Sequence, residues 1–302
     1  MRVLTLLFVM IANIALAKDI PVITRFDEST VAYQALSIYV KEINLLQQDY
    51  NFVIRIVPGA LGENADLRSL SMGKEGEEHI LHSTLTSYTS NLDQFKNSWD
   101  REKAFIILKS FWVTTSILTV NQEEKSYNDF INNLKGKEKI YYGSLTQGGN
   151  RDTLAVVFLK HYNLENKTKV IRYSTSSDLN RAILGKEVDF AISVPGSEGD
   201  TKGILSSGEN TNEKYKKIPT GKEIGIEDFY NETMSMFSVP ATLPSFADKI
   251  KPIFQKMCNN QNMINFAQKV SSILTCRESD EVRKQITFEN IWVKKYQISD
   301  IK

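Results

Sequence analysis

The segment from Tyr141 to Asn150, YYGSLTQGGN, with the helix-like run at residues 151–162 directly behind it, constrains the fold more than any other stretch. A strand, a glycine-rich turn and a helix start in that order make a βα unit. Its free backbone N–H groups and small hydroxyls converge where the helix dipole favours an anion. The turn therefore reads as a cradle for a small anion. An ordinary βα turn competes with that reading, because Gly and Ser are common turn residues and neither a Walker Lys-Ser/Thr nor a G-x-G-x-x-G pattern is present.

Strands and helices alternate on both sides of this unit. Residues 20–24 and 52–57 read as strands around a helix at 29–46, whose Val31, Ala35, Ile38 and Ile43 recur roughly at helical spacing. A helix at 62–71, a strand at 78–83, two β-rich segments within 104–120 (the second at 112–120) and a helix at 127–134 follow. The pattern then repeats: strands at 140–142, 170–173 and 188–193 enclose helices at 152–161 and 177–184, the latter capped by Ser176 or Ser177. Loops around one short strand fill 196–225. An apolar run at 234–239 and helices at 244–257, 261–269 and 278–295 complete the chain. The expectation is two α/β lobes, residues 18–120 plus 229–302 and residues 121–228, with a ligand cleft between them. Ligands in open α/β sheets sit at strand carboxyl ends, which gathers the loops at 24–30, 83–91, 143–150 and 174–177.

Residues 1–17 read as a secretory signal peptide. Arg2 precedes an apolar run at 3–16, and Ala15-Leu16-Ala17 gives the small-x-small cleavage pattern before Lys18. The run contains Asn13 and is shorter than the roughly 20 residues a membrane-spanning helix needs. No cysteine stands at the cleavage point, so a soluble exported protein is expected, not a lipid-anchored one. About 285 residues then remain, enough for two real cores. A net charge of +1 gives no global field, which argues against nucleic acid or an anionic membrane surface as partner.

Catalytic chemistry has little support. The histidines His79, His82 and His161 lack the His-Glu-x-x-His pattern of a zinc site, and His79 and His82 read as surface or strand-end residues. Ser83 adjoins His82, but neighbours on a strand point to opposite faces and no nucleophile elbow occurs. Neither a catalytic set nor a metal or cofactor is expected, and Trp292 reads as packing.

Several motifs together resemble a known family. PGALGENA at 58–65, ILHSTLTSYTSN at 80–91, the glycine turn at 143–150, Tyr173 with LGKEVD at 184–189, and PTGKEIG at 219–225 followed by Val239-Pro240 and Leu243-Pro244 appear in the order of landmarks in the tripartite tricarboxylate transporter receptors, the Bug-type solute-binding proteins. The similarity spans essentially the whole mature chain. It implies a type II periplasmic-binding-protein fold, two hinged α/β domains closing on a small organic anion that is passed to a membrane permease. It also implies a periplasmic monomer. Carried over position by position, the ligand set is Phe26 and Ser29, Ser83 and Thr86, Ser144, Gly148 and Asn150, with Ser174 and Thr175 behind Tyr173. Hydroxyls and backbone donors suit a carboxylate without metal or titrating group. Ser144 and Asn150, on a turn read as exposed, are expected to contact ligand and to matter little for stability.

The chain departs from the family at its first loop, TRFDEST at 24–30, where Pro and Gly are usual. Arg25 there suits bidentate grip of an anion, Asp27 and Glu28 suit the amino group of an amino-acid-like ligand, and an internal Arg25 to Asp27 or Glu28 pair is the structural alternative. Arg151 and Asp152 carry the same ambiguity at a helix start. An exported enzyme or a sensory module on the same fold is the second function class. For Cys258 and Cys276, an unbroken helix between them would hold them about 27 Å apart, beyond the ~7 Å a disulfide spans. The resemblance implies a helix ending near Lys269 and an extended return over residues 270–275, and with it a bridge. Two separate thiols are the alternative.

Overall fold

The computed structural model describes residues 17–28, 30–59, 62–89, 100–145, 149–210, 213–270 and 272–301. The expected signal peptide, apart from Ala17, and the candidates Ser29 and Gly148 lie outside the described residues.

The first series runs β1 (Lys18–Thr24), α1 (Val31–Leu46), β2 (Tyr50–Ile56), α2 (Glu63–Lys74) and β3 (Ile80–Thr84), then the short helices α3 (Thr86–Thr89) and α4 (Arg101–Ala104), then β4 (Phe105–Thr114). Local chemistry sets α1. The Thr30 hydroxyl accepts from the Tyr33 N–H at 3.2 Å, and Ala35, Leu36, Tyr39, Val40 and Ile43 form one buried stripe. Tyr39 stacks on Phe237 with centroids 4.6 Å apart, which fixes the helix against the sheet.

The second series runs β5 (Ile117–Val120), α5 (Tyr127–Gly136), β6 (Ile140–Ser144), α6 (Asn150–His161), β7 (Thr168–Arg172), α7 (Ser176–Leu184), β8 (Phe190–Ser193) and β9 (Lys202–Ser206). The chain then returns as β10 (Thr233–Pro240), α8 (Pro244–Lys256), α9 (Gln261–Lys269), β11 (Ser272–Arg277) and α10 (Ser279–Lys295).

One sheet has the order β11-β4-β10-β3-β1-β2 and the other β7-β6-β8-β5-β9. Both follow one plan. Three parallel strands, β2-β1-β3 or β7-β6-β8, are followed by an antiparallel strand that arrives from the opposite lobe, β10 or β5. The expected β segment at 112–120 is in fact divided. Ile117, Leu118 and Thr119 pair with Ser193, Ile192 and Ala191 of β8, so the chain changes lobes at Thr115 and Ser116, ahead of the Val120–Asn121 junction read from sequence. The crossings are tied together: Ser207 N donates to Ser116 O, Ser116 N to Ser207 Oγ, and Ser207 Oγ to Asn231 O, at 2.8, 2.8 and 2.9 Å.

Each lobe has its own core, and α10 joins them. Val282 and Ile286 pack with Leu85, Tyr88, Ile107, Val113, Met234 and Met236 of the first lobe, whereas Trp292 and Ile301 belong to the core of the second. This explains α6, whose residues Leu154, Ala155, Val156, Val157, Phe158 and Leu159 are all buried. A helix apolar all round must be covered on both sides, here by its own sheet and by the C-terminal segment. Trp292 is packing, as expected, and its indole N–H donates to Asp228 O at 3.1 Å.

The bridge between Cys258 and Cys276 is formed, with Cα atoms 5.5 Å apart. It ties the turn after α8 to the edge strand β11. The surface reading of His79 and His82 is overturned: both are buried, His79 directly ahead of β3 and His82 within it. His79 lies between Ser69 Oγ and Glu77 O, each at 2.7 Å, and His82 sits within β3 beside Thr24 Oγ1 at 3.1 Å. Alternation along a short, fully buried strand gave no signal for this. The cap of α7 is Thr175, whose hydroxyl accepts from Asp178 N at 3.1 Å, in place of Ser176 or Ser177.

Candidate functional site

In the first sheet the strand order turns back between β1 and β3, the crevice position at which open α/β sheets receive ligands. Arg25 emerges there, one residue beyond β1. Its Nη2 donates to Thr84 Oγ1 at 3.0 Å, at the carboxyl end of β3, and its guanidinium lies 4.8 Å from the Phe26 ring centroid. Gly62, the N-cap of α2, makes room for it. With φ at +105° and a notional Cβ only 2.6 Å from Arg25 Cδ, any side chain at this position displaces the arginine.

Beneath Arg25 lies a buried ion pair, Arg101 Nη2 to Asp66 Oδ2 at 2.8 Å, in which Arg101 also donates to Ser87 O. Burial pushes the Asp66 carboxyl up to about 6 against the opposing pull of Arg101. The Arg25 guanidinium is brought down to about 10, chiefly by burial; Arg101 and Arg151 press it further down and Asp66 opposes them. Burial, with Arg25 nearby, lowers His82 to about 3, so the imidazole is neutral.

In the second lobe Asp152, fully buried in the first turn of α6, accepts from Tyr142 OH at 2.9 Å, Ser144 Oγ at 2.6 Å and Arg172 Nη1 at 2.8 Å. Arg172 also donates to Ser144 Oγ at 2.6 Å. The network ties the end of β6 to the first turn of α6. Asn150 binds across the lobes: its Nδ2 donates to Glu289 Oε2 of α10 at 2.5 Å, and its Oδ1 lies 3.4 Å from the Thr89 hydroxyl. Thr89 is also 3.2 Å from Glu289 Oε2. Hence the N-terminal turn of α6 rests against the first lobe just past Thr84, the residue that holds Arg25.

Arg151 stands next to Asn150 in that turn. It is half-buried and makes no hydrogen bond or ion pair among the described residues. Burial lowers its pKa, offset by Tyr142 and Asp152.

The structure thus gathers some sequence candidates and separates others. Arg25, Phe26, Ser83 and Thr86 lie at or near the carboxyl ends of β1 and β3, with Ser83 buried and Thr86 half-buried. Ser144 ends β6 and Asn150 begins α6 in the second lobe, but they are buried and held by internal partners, not exposed as the turn suggested. Ser174 and Thr175 are exposed, and Thr175 serves the α7 cap. Asp27 and Glu28 are exposed in the loop after β1. Sequence reasoning passed over Thr84, Gly62 and Glu289 and left Arg151 out of the ligand set. Only Arg151 carried a signal, a cation in a helix's first turn against the dipole.

Ser69 and His79 have the contact of a nucleophile and base, yet both are sealed in the first lobe away from the cleft. Among the described residues no cluster of His, Cys, Asp and Glu is placed to hold a metal, and no helix is long and apolar enough to cross a membrane. A groove of about 710 Å³ between α9 and β11, lined by Ile264, Gln268 and Ile273, lies at the sheet edge, far from the strand carboxyl ends.

No family model and no curated protein matches the sequence. Solved structures do match the fold. A periplasmic transporter is 16% identical with a TM-score of 0.79 over 93% of this chain and 98% of its own. MatC from Rhodopseudomonas palustris with bound malate is 13% identical, TM-score 0.74, covering 91% and 99%. The R. palustris protein Rpa4515 with adipate is 12% identical, TM-score 0.77, covering 92% and 96%. The chain therefore has the two-lobed type II fold of the periplasmic binding proteins.

Proposed function

We propose that this chain is a periplasmic solute-binding receptor that captures a small organic anion, a carboxylate, between its lobes and delivers it to a membrane permease of the tripartite tricarboxylate type. What supports the reading is Arg25 at the switch point of the first sheet, together with Arg151 in the N-terminal turn of α6. Guanidinium groups, a helix N-terminus and hydroxyls converging on one cleft are chemistry for a carboxylate. Malate and adipate in two neighbours of the same fold point the same way.

The rest of the assignment follows from this role. Residues 1–17 act as the export signal, and the mature chain works as a monomer in the periplasm. Its two sheets form hinged domains that rotate about the paired crossings at Ser116 and Ser207. Binding is the whole task, with no catalysis, metal or cofactor.

Native mass spectrometry of the purified mature protein, followed by thermal-shift screening against dicarboxylates, tricarboxylates, aromatic acids and amino acids, tests the proposal. A ligand at a hundredfold excess over its Kd stabilises the folded state by about 2.7 kcal/mol, a difference readily seen in the melting temperature. If no organic anion raises that temperature, the receptor reading fails.

A further inference from the structure

Arg151 breaks three local rules. It places a cation in the first turn of a helix, where the dipole disfavours positive charge; it is half withdrawn from water; and it lies close enough to Arg25 to press on that group's protonation. No hydrogen bond or ion pair among the described residues offsets these costs; Tyr142 and Asp152 oppose them only through their charge. The neighbouring carboxylate Asp152 is engaged by Tyr142, Ser144 and Arg172. Asp66, on the other side, is engaged by Arg101. Costs of this kind persist where function requires them.

The fold brings the segments that bear the two arginines together. Thr84 anchors Arg25 at the end of β3, and α3 begins two residues later. Thr89, at the end of α3, is within hydrogen-bonding distance of Asn150, and the next residue is Arg151. One short path of contacts therefore brings Arg25 of the first lobe and Arg151 of the second near one another.

We infer that Arg25 and Arg151 are the specificity pair of this receptor, a clamp in which one carboxylate of the ligand is shared by a guanidinium from each lobe. This rests on the receptor reading above and names what the cleft selects: acids with a free carboxylate over their amides and esters. It also gives closure a cause. The two cations repel until an anion lies between them, so the anion is what draws the lobes together.

The test is titration calorimetry with malate, adipate and citrate, and with the diamide of adipate, on the wild-type protein and on Arg151→Gln, Arg151→Lys, Arg25→Gln and the double Gln variant. Thermal melts of the ligand-free proteins accompany it. For an acid that binds the wild type, Arg151→Gln should weaken affinity by about 10- to 100-fold, the range for loss of a charged hydrogen bond. Arg151→Lys should recover part of that loss. The double variant should lose much less than the product of the single losses, because both residues hold one carboxylate. The ligand-free Arg151→Gln protein should melt at the wild-type temperature or above it, since a costly cation has gone; a merely structural arginine would lower it.

Unchanged acid affinity in Arg151→Gln, or fully multiplicative losses in the double variant, overturns the clamp. A wild type that binds adipamide as well as adipate also overturns it while leaving a receptor in place. A wild type that binds none of these probes, nor any other small molecule in the thermal screen, overturns the receptor reading and the clamp together.

Discussion

Replacing Glu289 with Gln should change how the stability of this protein depends on pH. Glu289 is 1% exposed, on the helix that spans both lobes, and accepts from Asn150, Thr89 and Gln285 at 2.5, 3.2 and 3.4 Å. Burial pushes its carboxyl up from 4.5 to about 8; the hydrogen bonds only partly oppose this, and Glu232 adds to it. Between those two values the folded protein keeps a proton that the unfolded chain releases, so stability falls as pH rises through the window. Each pH unit within it costs at most about 1.36 kcal/mol, and less near pH 8 where folded Glu289 itself ionises, so the loss between pH 5 and pH 8 is about 3 kcal/mol. Asp66, also raised, adds a slope of the same sign below about pH 6, whereas the lowered His82 costs stability as pH falls below 6.5. Subtracting the variant from the wild type removes both contributions. Urea unfolding at pH 5, 6.5 and 8 gives the comparison: the glutamine protein should gain on the wild type by about 3 kcal/mol across the range. Parallel pH profiles would refute the reasoning, because they would mean that Glu289 titrates alike in both states.

Other changes have equally definite outcomes. Gly62→Ala should displace Arg25 and strain a left-handed backbone position, lowering stability by about 1–2 kcal/mol and acid affinity with it, as read by thermal melts and calorimetry. Ser144→Ala, nearly neutral for stability on the sequence alone, should instead cost about 1–3 kcal/mol in urea melts, because it strips a partner from buried Asp152 and from Arg172. Opening the Cys258–Cys276 bridge should cost on the order of 3 kcal/mol, and alkylation of the denatured, unreduced wild type should add no label in an intact-mass measurement.

Much of the molecule was legible in order along the chain. Strand and helix periods located α1, β2, the β6–α6 turn and the C-terminal helices to within a few residues, because each element buries one face and its apolar spacing records that face. Boundaries that depend on partners were not legible. The run from Phe105 to Val120 is rich in apolar and β-branched residues throughout, and only pairing with β10 and β11 on one side and with β8 and β9 on the other divides it at Thr115 and Ser116. The C-terminal segment looked like part of the first lobe, yet it covers α6 in the second.

The site divides in the same way. Sequence alone determined that a glycine-rich turn precedes a helix, that Arg25 stands at the end of the first strand, and that an apolar run precedes a chain of alternating α/β elements, since these are matters of neighbouring residues and local backbone chemistry. Tertiary structure decided which polar groups remain for a ligand. Ser144 and Asn150 were attractive as free hydroxyl and amide, but Asp152, Arg172 and Glu289 hold them, while Arg151 makes no hydrogen bond or ion pair among the described residues. Hydrogen-bond partners 139 positions apart, as Asn150 and Glu289 are, leave no local pattern. Whether a polar side chain is available depends on burial and on partners brought together by the fold, and neither is a property of the residue's own neighbourhood in sequence.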